Sequence, residues 1–239
     1  MKRTERQHLK ENELERLTRE ARELIERRRS ETTAIVAVVA LVAVVALGYM
    51  LWRQQVQNKA AGLLAQAVAV QEARVGPPGM VGVGLSFISE RERAQAALTK
   101  LKIVADAYPK TDAGLYARYQ MAGEYMTLDD AKGAAATYQD TIDRAGTGIY
   151  GQMARLGLAG AQARQGQYEP AINTYKDLAQ KKDGPLPVDG ILMELGRTYL
   201  EAGKPADARQ TFTRLVDEYP ESPFSGDAKR ELDTLKKTT

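Results

Sequence analysis

The sequence predicts an all-α chain: a single transmembrane helix near the N-terminus, then a solenoid of stacked helical hairpins. Two observations carry this expectation. Residues 34–52, AIVAVVALVAVVALGYMLW, run nineteen positions without a charge. Further on, small and bulky apolar residues recur at steps of 37. The first pattern suits a bilayer and the second suits a repeat whose units must stack to bury their apolar faces.

Residues 1–33 are dominated by charged residues and favour helix. Leu14, Leu17, Ala21 and Leu24 fall at heptad spacing among many Glu and Arg. The segment reads as a solvated helix continuing the anchor. The competing reading is a short coiled coil, for which fewer than three apolar heptads is a weak basis.

The apolar run 34–52 would rise through about 28 Å as a helix, close to the hydrocarbon thickness of a bilayer. A cleaved secretory signal has a core of roughly 7–15 apolar residues and a small-x-small site just beyond it. Here the run is longer and is followed by Arg53-Gln54-Gln55, while Ala65-Gln66-Ala67 lies too far on. The run is therefore expected to stay as an anchor. Arg16, Arg19, Arg22, Arg27, Arg28 and Arg29 precede it, whereas only Arg53 and Lys59 follow within twenty positions. The positive-inside rule then places the N-terminus in the cytoplasm and residues 53–239 on the far side. Tyr49 and Trp52 suit the headgroup level at the outer end.

Residues 53–239 hold 24 basic and 23 acidic residues, a balance that disfavours nucleic acid as a partner. The chain has no cysteine, so disulfides, Cys-ligated zinc and thiol chemistry are excluded. Its one histidine, His8, lies in the charged N-terminal segment, away from any site in the far portion. Gly146-Thr147-Gly148-Ile149-Tyr150-Gly151 matches G-x-G-x-x-G, but it follows a helix rather than a strand, so the glycines read as a helix end and a helix start. No paired carboxylates stand out. An enzyme is not expected, nor are a cofactor, a metal or a small-molecule substrate.

Around Leu195 the chain reads L-G-x-x-Y-x-x-x-G, followed by Ala208, Phe212 and Tyr219-Pro220. With Leu195 at position 7, Gly196 is at 8, Tyr199 at 11, Gly203 at 15, Ala208 at 20, Phe212 at 24 and Pro220 at 32. This is the tetratricopeptide pattern, so the expected architecture is a tetratricopeptide-repeat α-solenoid. Small residues at 8 and 20 let two antiparallel helices approach, and the bulky ones fill the space between. One step back gives Leu158, Ala159, Gly166, Ala171 and Tyr175, with Gln162 at position 11, where it should loosen its helix pair. Another step gives Met121, Ala122, Tyr125, Ala134 and Tyr138. A third gives Ala97, Leu101 and Tyr108-Pro109.

Helices are expected at about 89–107, 113–127, 131–145, 150–165, 168–181, 188–202, 205–219 and 223–237. The last, with Ala228, Leu232 and Leu235 on one side, reads as a terminal cap. The repeat region is taken as 89–239. Ahead of it, residues 53–88 should form a membrane-proximal helix at about 53–74 and a Gly/Pro loop opened by Gly76-Pro77-Pro78-Gly79. That helix is expected to stand in for the missing first helix of the first repeat. The loop's Met80, Val81, Val83, Leu85 and Phe87 would cover the core, or else touch the membrane or a partner.

First helices of such repeats line a groove through positions 2, 5, 9, 12 and 13. Here these are Tyr116, Tyr119, Gly123 and Met126; then Met153, Leu156, Gly160, Ala163 and Arg164; then Met193, Arg197, Leu200 and Glu201. The candidate protein-binding residues are Tyr116, Tyr119, Met126, Met153, Leu156, Arg164, Met193, Arg197 and Leu200. Methionine and tyrosine suit adaptable apolar contact with extended or partly folded polypeptide. The competing reading is that several of them are simply buried by the stack. Lys and Asn, which clamp a peptide carboxylate in some such domains, are absent from these positions.

A single N-in anchor followed by an outer repeat domain resembles the ancillary SecYEG translocon subunit family of bacterial inner membranes. The long charged N-terminal extension is a departure from it. Tyr108-Pro109-Lys110-Thr111 and Tyr219-Pro220-Glu221-Ser222 are similar to repeat ends of the outer-membrane assembly lipoprotein BamD and the cell-division coordinator CpoB. The translocon resemblance implies an inner-membrane protein with a periplasmic C-terminal domain. Its partners would be the secretion translocon, periplasmic chaperones or exported polypeptides. The alternative is a structural scaffold or assembly subunit of another membrane complex.

Overall fold

A computed structural model describes residues 29–76, 85–181 and 184–237. The expected heptad positions Leu14 to Leu24 and the loop residues Met80, Val81 and Val83 lie outside the described residues. The chain divides into two compact units, residues 1–55 and 56–239.

In the first unit the described backbone is one helix, the leading part of α1 (Arg29–Gln71). Among the described residues one helix is long and apolar enough to cross a membrane, and its apolar stretch buries nothing against protein. Ile35 to Trp52 keep their large side chains about 60% exposed all around the helix. Water would penalise that surface, whereas hydrocarbon would not.

The second unit begins with residues 56–71 of α1. It continues through α2 (Glu90–Ala107), α3 (Asp112–Thr127), α4 (Ala131–Ala145), α5 (Ile149–Arg164), α6 (Tyr168–Ala179), α7 (Val188–Glu201), α8 (Pro205–Glu218) and α9 (Ser225–Lys237). Each helix packs on the next from α2 to α9, and α5 also touches both α3 and α7. First helices thus meet first helices along the stack, as a solenoid requires.

The 37-residue period is visible in the turns. Asp129, Gly166 and Gly203 stand 37 apart, and all three have positive φ, at 62°, 74° and 71°. The amide that follows each one donates back five residues: Asp130 to Tyr125, Gln167 to Gln162 and Lys204 to Tyr199, at 2.8–2.9 Å. This bond, spanning six residues, is the mark of a Schellman-type helix end, where a left-handed residue satisfies the last carbonyls. Asp129 is the one non-glycine in the set, and a Cβ makes that conformation costly. Asp129→Gly should raise the unfolding free energy by roughly 0.5–1 kcal/mol, the usual scale of a left-handed site relieved by glycine. Thermal unfolding followed by circular dichroism would register it.

The turns between hairpins repeat as well. The amides of Thr111, Gly148 and Ser222 donate to the carbonyls of Tyr108, Ala145 and Tyr219 at 3.0–3.1 Å. Thr111 then caps α3, its Oγ1 accepting from the Gly114 amide at 3.0 Å and donating to the Tyr108 carbonyl at 2.9 Å. Ser222 uses its hydroxyl differently: Oγ accepts from the Phe224 amide at 3.1 Å and sits 2.6 Å from Asp189 Oδ2 on α7. The Y-P-x-S/T repeat ends are therefore caps that set the direction of the next helix.

The core falls into three clusters. Ala60 and Ala67 of α1 are fully buried against Leu101, Val104, Ala105, Ala113, Ala117 and Met121, with Leu63, Leu64 and Leu98 at the edge. The helix half that the Gly-rich stretch cannot supply therefore comes from residues 56–71. Ala122, Ala134, Tyr138, Ala154 and Ala161 form the middle cluster, and the largest surrounds Tyr175, Leu192, Tyr199 and Phe212. Alanine dominates the first two, which brings helix axes close and leaves the large side chains few and decisive.

Among the described residues one element lies outside an all-helical plan. β1 (Arg74–Val75) and β2 (Ser86–Phe87) form a two-residue parallel ladder, and the Gly76 amide donates to the Phe87 carbonyl at 3.0 Å. The ladder joins the residues flanking the Gly/Pro stretch next to α2. Phe87 is half-buried there, but Leu85 and Ile88 remain exposed.

Candidate protein-binding surface

The nine residues expected to line the groove divide into groups. Tyr116, Tyr119 and Met126 on α3 are half-buried, as are Met153 and Leu156 on α5 and Leu200 on α7. Tyr119 and Met126 lean on the middle core cluster, and Leu156 and Leu200 lean on the largest one. Met193 is 1% exposed inside that cluster, so it serves packing and offers no surface to a ligand. Its period-37 counterparts Tyr119 and Leu156 keep some exposure, which is why spacing alone did not separate them.

The two arginines are exposed and tie helices together. Arg164 donates from Nη1 to the Met126 carbonyl at 3.2 Å and lies 3.6 Å from Asp129, bridging the ends of α5 and α3. Arg197 donates to Glu194 at 3.1 Å and lies 3.8 Å from Asp227 on α9. Exposed pairs of this kind contribute little, but they orient a basic side chain on α5 and on α7.

A chain of tyrosines was only half legible in the sequence. Tyr150 stacks at 5.8 Å from Tyr116, which lies 6.4 Å from Tyr119, which lies 5.8 Å from Tyr138. All three contacts are tilted, the arrangement that aromatic quadrupoles favour. Tyr150 precedes the first position of its repeat, so a search restricted to groove positions passes over it. Tyr116 and Tyr150 line a cleft of about 380 Å³ with Gln57, Ala61 and Leu64 of α1 and Asp112. A larger cleft of about 510 Å³ lies among α4, α5 and α6, lined by Gln139, Arg155, Leu158 and Asp177 among others.

Burial pushes the Tyr119, Tyr138, Tyr150 and Tyr175 hydroxyls above their ordinary pKa; for Tyr119 and Tyr138 a neighbouring tyrosine adds to the effect. Tyr199 shifts the same way, again first by burial and then through Asp207. A raised folded-state pKa favours the neutral form, so the stabilisation is complete below the unfolded value near 10 and disappears above it. Stability should therefore hold up to about pH 10 and then fall, with Tyr138 and Tyr175 each adding up to ~1.4 kcal/mol per pH unit to the loss. Tyrosinate absorbance should rise in step with loss of helical signal; ionisation of all tyrosines before any unfolding would contradict this.

Gln162 occupies the position that is tyrosine in the neighbouring repeats. Its Oε1 is buried, with no hydrogen-bond partner among the described residues. Gln162→Leu should raise stability by about 1 kcal/mol, because removing an unsatisfied buried acceptor recovers its desolvation cost. A denaturant titration with unchanged m-value would show it. Among the described residues no cluster of His, Cys, Asp and Glu is arranged to hold a metal ion.

Comparison with known proteins agrees with this geometry. A solved structure of nearly identical tetratricopeptide-like repeats from Podosopora anserina superposes with a TM-score of 0.58 at 14% identity, over 76% of this chain and 87% of that one. A point variant of the same repeat protein gives 0.58 at 15% identity, over 76% and 86%. At such identities the likeness concerns the fold alone. No curated protein matches the chain in sequence. The family model described as "Tetratricopeptide repeat-like domain" matches residues 28–236, nearly nine-tenths of the chain, and the protein belongs to that family.

Proposed function

We propose that this protein is a membrane-anchored protein-interaction module of the bacterial inner membrane, with its N-terminus in the cytoplasm and its repeats in the periplasm. In this reading it is an ancillary subunit of the secretion translocon, and the repeats contact periplasmic chaperones or emerging exported polypeptides. The observation that carries it is the extent of the family match. It starts at residue 28, ahead of the apolar run, and continues to 236, which supports a retained anchor continuous with the repeats. A cleaved leader would not be expected inside a family domain of this kind. The arginines before the run, against Arg53 and Lys59 after it, support the orientation. Half-buried Tyr116, Tyr119, Met126, Met153, Leu156 and Leu200 support polypeptide as the ligand, with Arg164 and Arg197 at the rim.

Affinity purification of the full chain in mild detergent tests the partner. Co-isolation with the secretion channel and periplasmic folding factors is expected. Recovery of one stoichiometric non-secretory membrane complex would replace the translocon role with the scaffold. Protease protection in intact spheroplasts tests orientation, since the repeats should be digested from outside. Met153→Asp with Leu156→Asp should abolish crosslinking to partners; Met193 is unsuitable because it is core.

A further inference from the structure

We propose that the cleft between α1, α3 and α5 is a receptor for a lysine or arginine side chain of a bound polypeptide. The proposal deepens the interaction reading above by assigning chemistry to one place on the surface. Three observations converge there. Tyr116 and Tyr150 present two half-buried rings with centroids 5.8 Å apart, tilted by 52°. Ala61 and Leu64 supply an apolar wall. Asp112 lines the same cleft, is exposed and takes part in no ion pair among the described residues. Its charge also helps to hold the Tyr150 hydroxyl neutral.

These parts match the two halves of a basic side chain. The methylene stem needs apolar surface, which Ala61 and Leu64 give. The charged head is drawn to ring faces and to a carboxylate. Asp112 sits in the first turn of α3, whose N-terminal pole carries about half a positive charge. The full negative charge of the carboxylate outweighs it, so the local balance still attracts a cation. An acidic guest would meet Asp112 directly, and a purely apolar guest would leave the carboxylate to be desolvated without a partner. The cleft volume of about 380 Å³ is at the lower end of ligand pockets, roughly 300–1,000 Å³, and suits one or two side chains.

The test uses the full chain in lipid nanodiscs. The probe is a fluorescein-labelled, blocked ten-residue peptide of Ala, Ser and Leu with one central Lys, and its counterpart carries Gln at that place. Fluorescence anisotropy should show the Lys peptide bound roughly tenfold more tightly, the combined scale of a cation–π contact and an exposed charge pair. Asp112→Asn and Tyr150→Leu should each shrink that preference to less than threefold. Tyr150→Phe, which keeps the ring face, should retain it. Circular dichroism on each variant checks that the helices persist. Equal binding of the two peptides by the parent chain, or a preference that survives both Asp112→Asn and Tyr150→Leu, overturns the proposal. Co-isolation with the translocon is read separately. Loss of lysine preference with co-isolation intact removes the cleft alone, and failed co-isolation with preference intact removes the translocon role alone.

Discussion

Gly196→Ala should lower the unfolding free energy by about 2–3 kcal/mol, the upper part of the range for overpacking a close core contact. A Cβ at this position would lie 2.3 Å from the Phe212 ring, with two more ring atoms within 2.7 Å. Phe212 is fully buried, so the ring has nowhere to swing. Either α7 and α8 separate or Phe212 leaves its rotamer. The same substitution at Gly123 should act in the opposite direction. That glycine lies inside α3 with no atom within 4 Å of an added Cβ, so Gly123→Ala gains helix propensity worth roughly 0.5–1 kcal/mol. Chemical denaturation of the two variants in parallel decides the matter, because propensity alone predicts stabilisation in both. The double variant Gly196→Ala with Phe212→Leu should recover part of the loss, since the smaller side chain yields the space the methyl requires. No recovery would mean that the cost lies in backbone placement rather than in the ring.

That contrast also shows why the fold was legible in the sequence and the surface was less so. Gly196 and Ala208 sit at repeat positions whose sizes are dictated by helix–helix approach, and Ala159, Ala171, Ala122 and Ala134 recur there for the same reason. A solenoid imposes the same packing problem on every unit, so its solution repeats at 37 and can be read without coordinates. Turn residues repeat by the same logic, although Asp129 hides its turn by substituting for glycine. Groove positions carry no such constraint. Met193 and Leu200 share a helix face by spacing, yet one is enclosed within the largest core cluster and the other is half-buried at its edge. The difference depends on how the units are stacked. Tyr150 and Leu64 carry no groove signature in the sequence, because the first lies before its repeat begins and the second belongs to the helix that substitutes for a repeat element. The β1–β2 ladder escaped because a two-residue pairing leaves no periodic pattern to detect.

A second large effect is expected at Arg118, where Arg118→Ala should cost about 2–4 kcal/mol, the range for losing hydrogen bonds to a charged group at a mostly buried site. The Arg118 side chain is 11% exposed, and its guanidinium joins three helices. Nη1 donates to Asp140 Oδ2 on α4 at 2.6 Å, and Nη2 donates to the Ala105 carbonyl near the end of α2 at 2.9 Å. A cation beside the last turn of α2 also complements the negative pole of that helix. Asp140 is not orphaned by the loss, because Arg144 donates to its other oxygen at 2.8 Å. The cost should therefore come mainly from the Ala105 carbonyl and from the space left between the helices. Nε of Arg118 is itself buried without a partner among the described residues, so the wild-type arrangement already carries a penalty. Arg118→Met keeps the stem, removes that penalty and should cost only about 1 kcal/mol. A loss for Met as large as the 2–4 kcal/mol expected for Ala would show that charge rather than packing holds α2, α3 and α4 together. If instead Ala proves as mild as Met, the helix junction rests on its alanine contacts at Ala105, Ala113 and Ala117, and the arginine only orients Asp140.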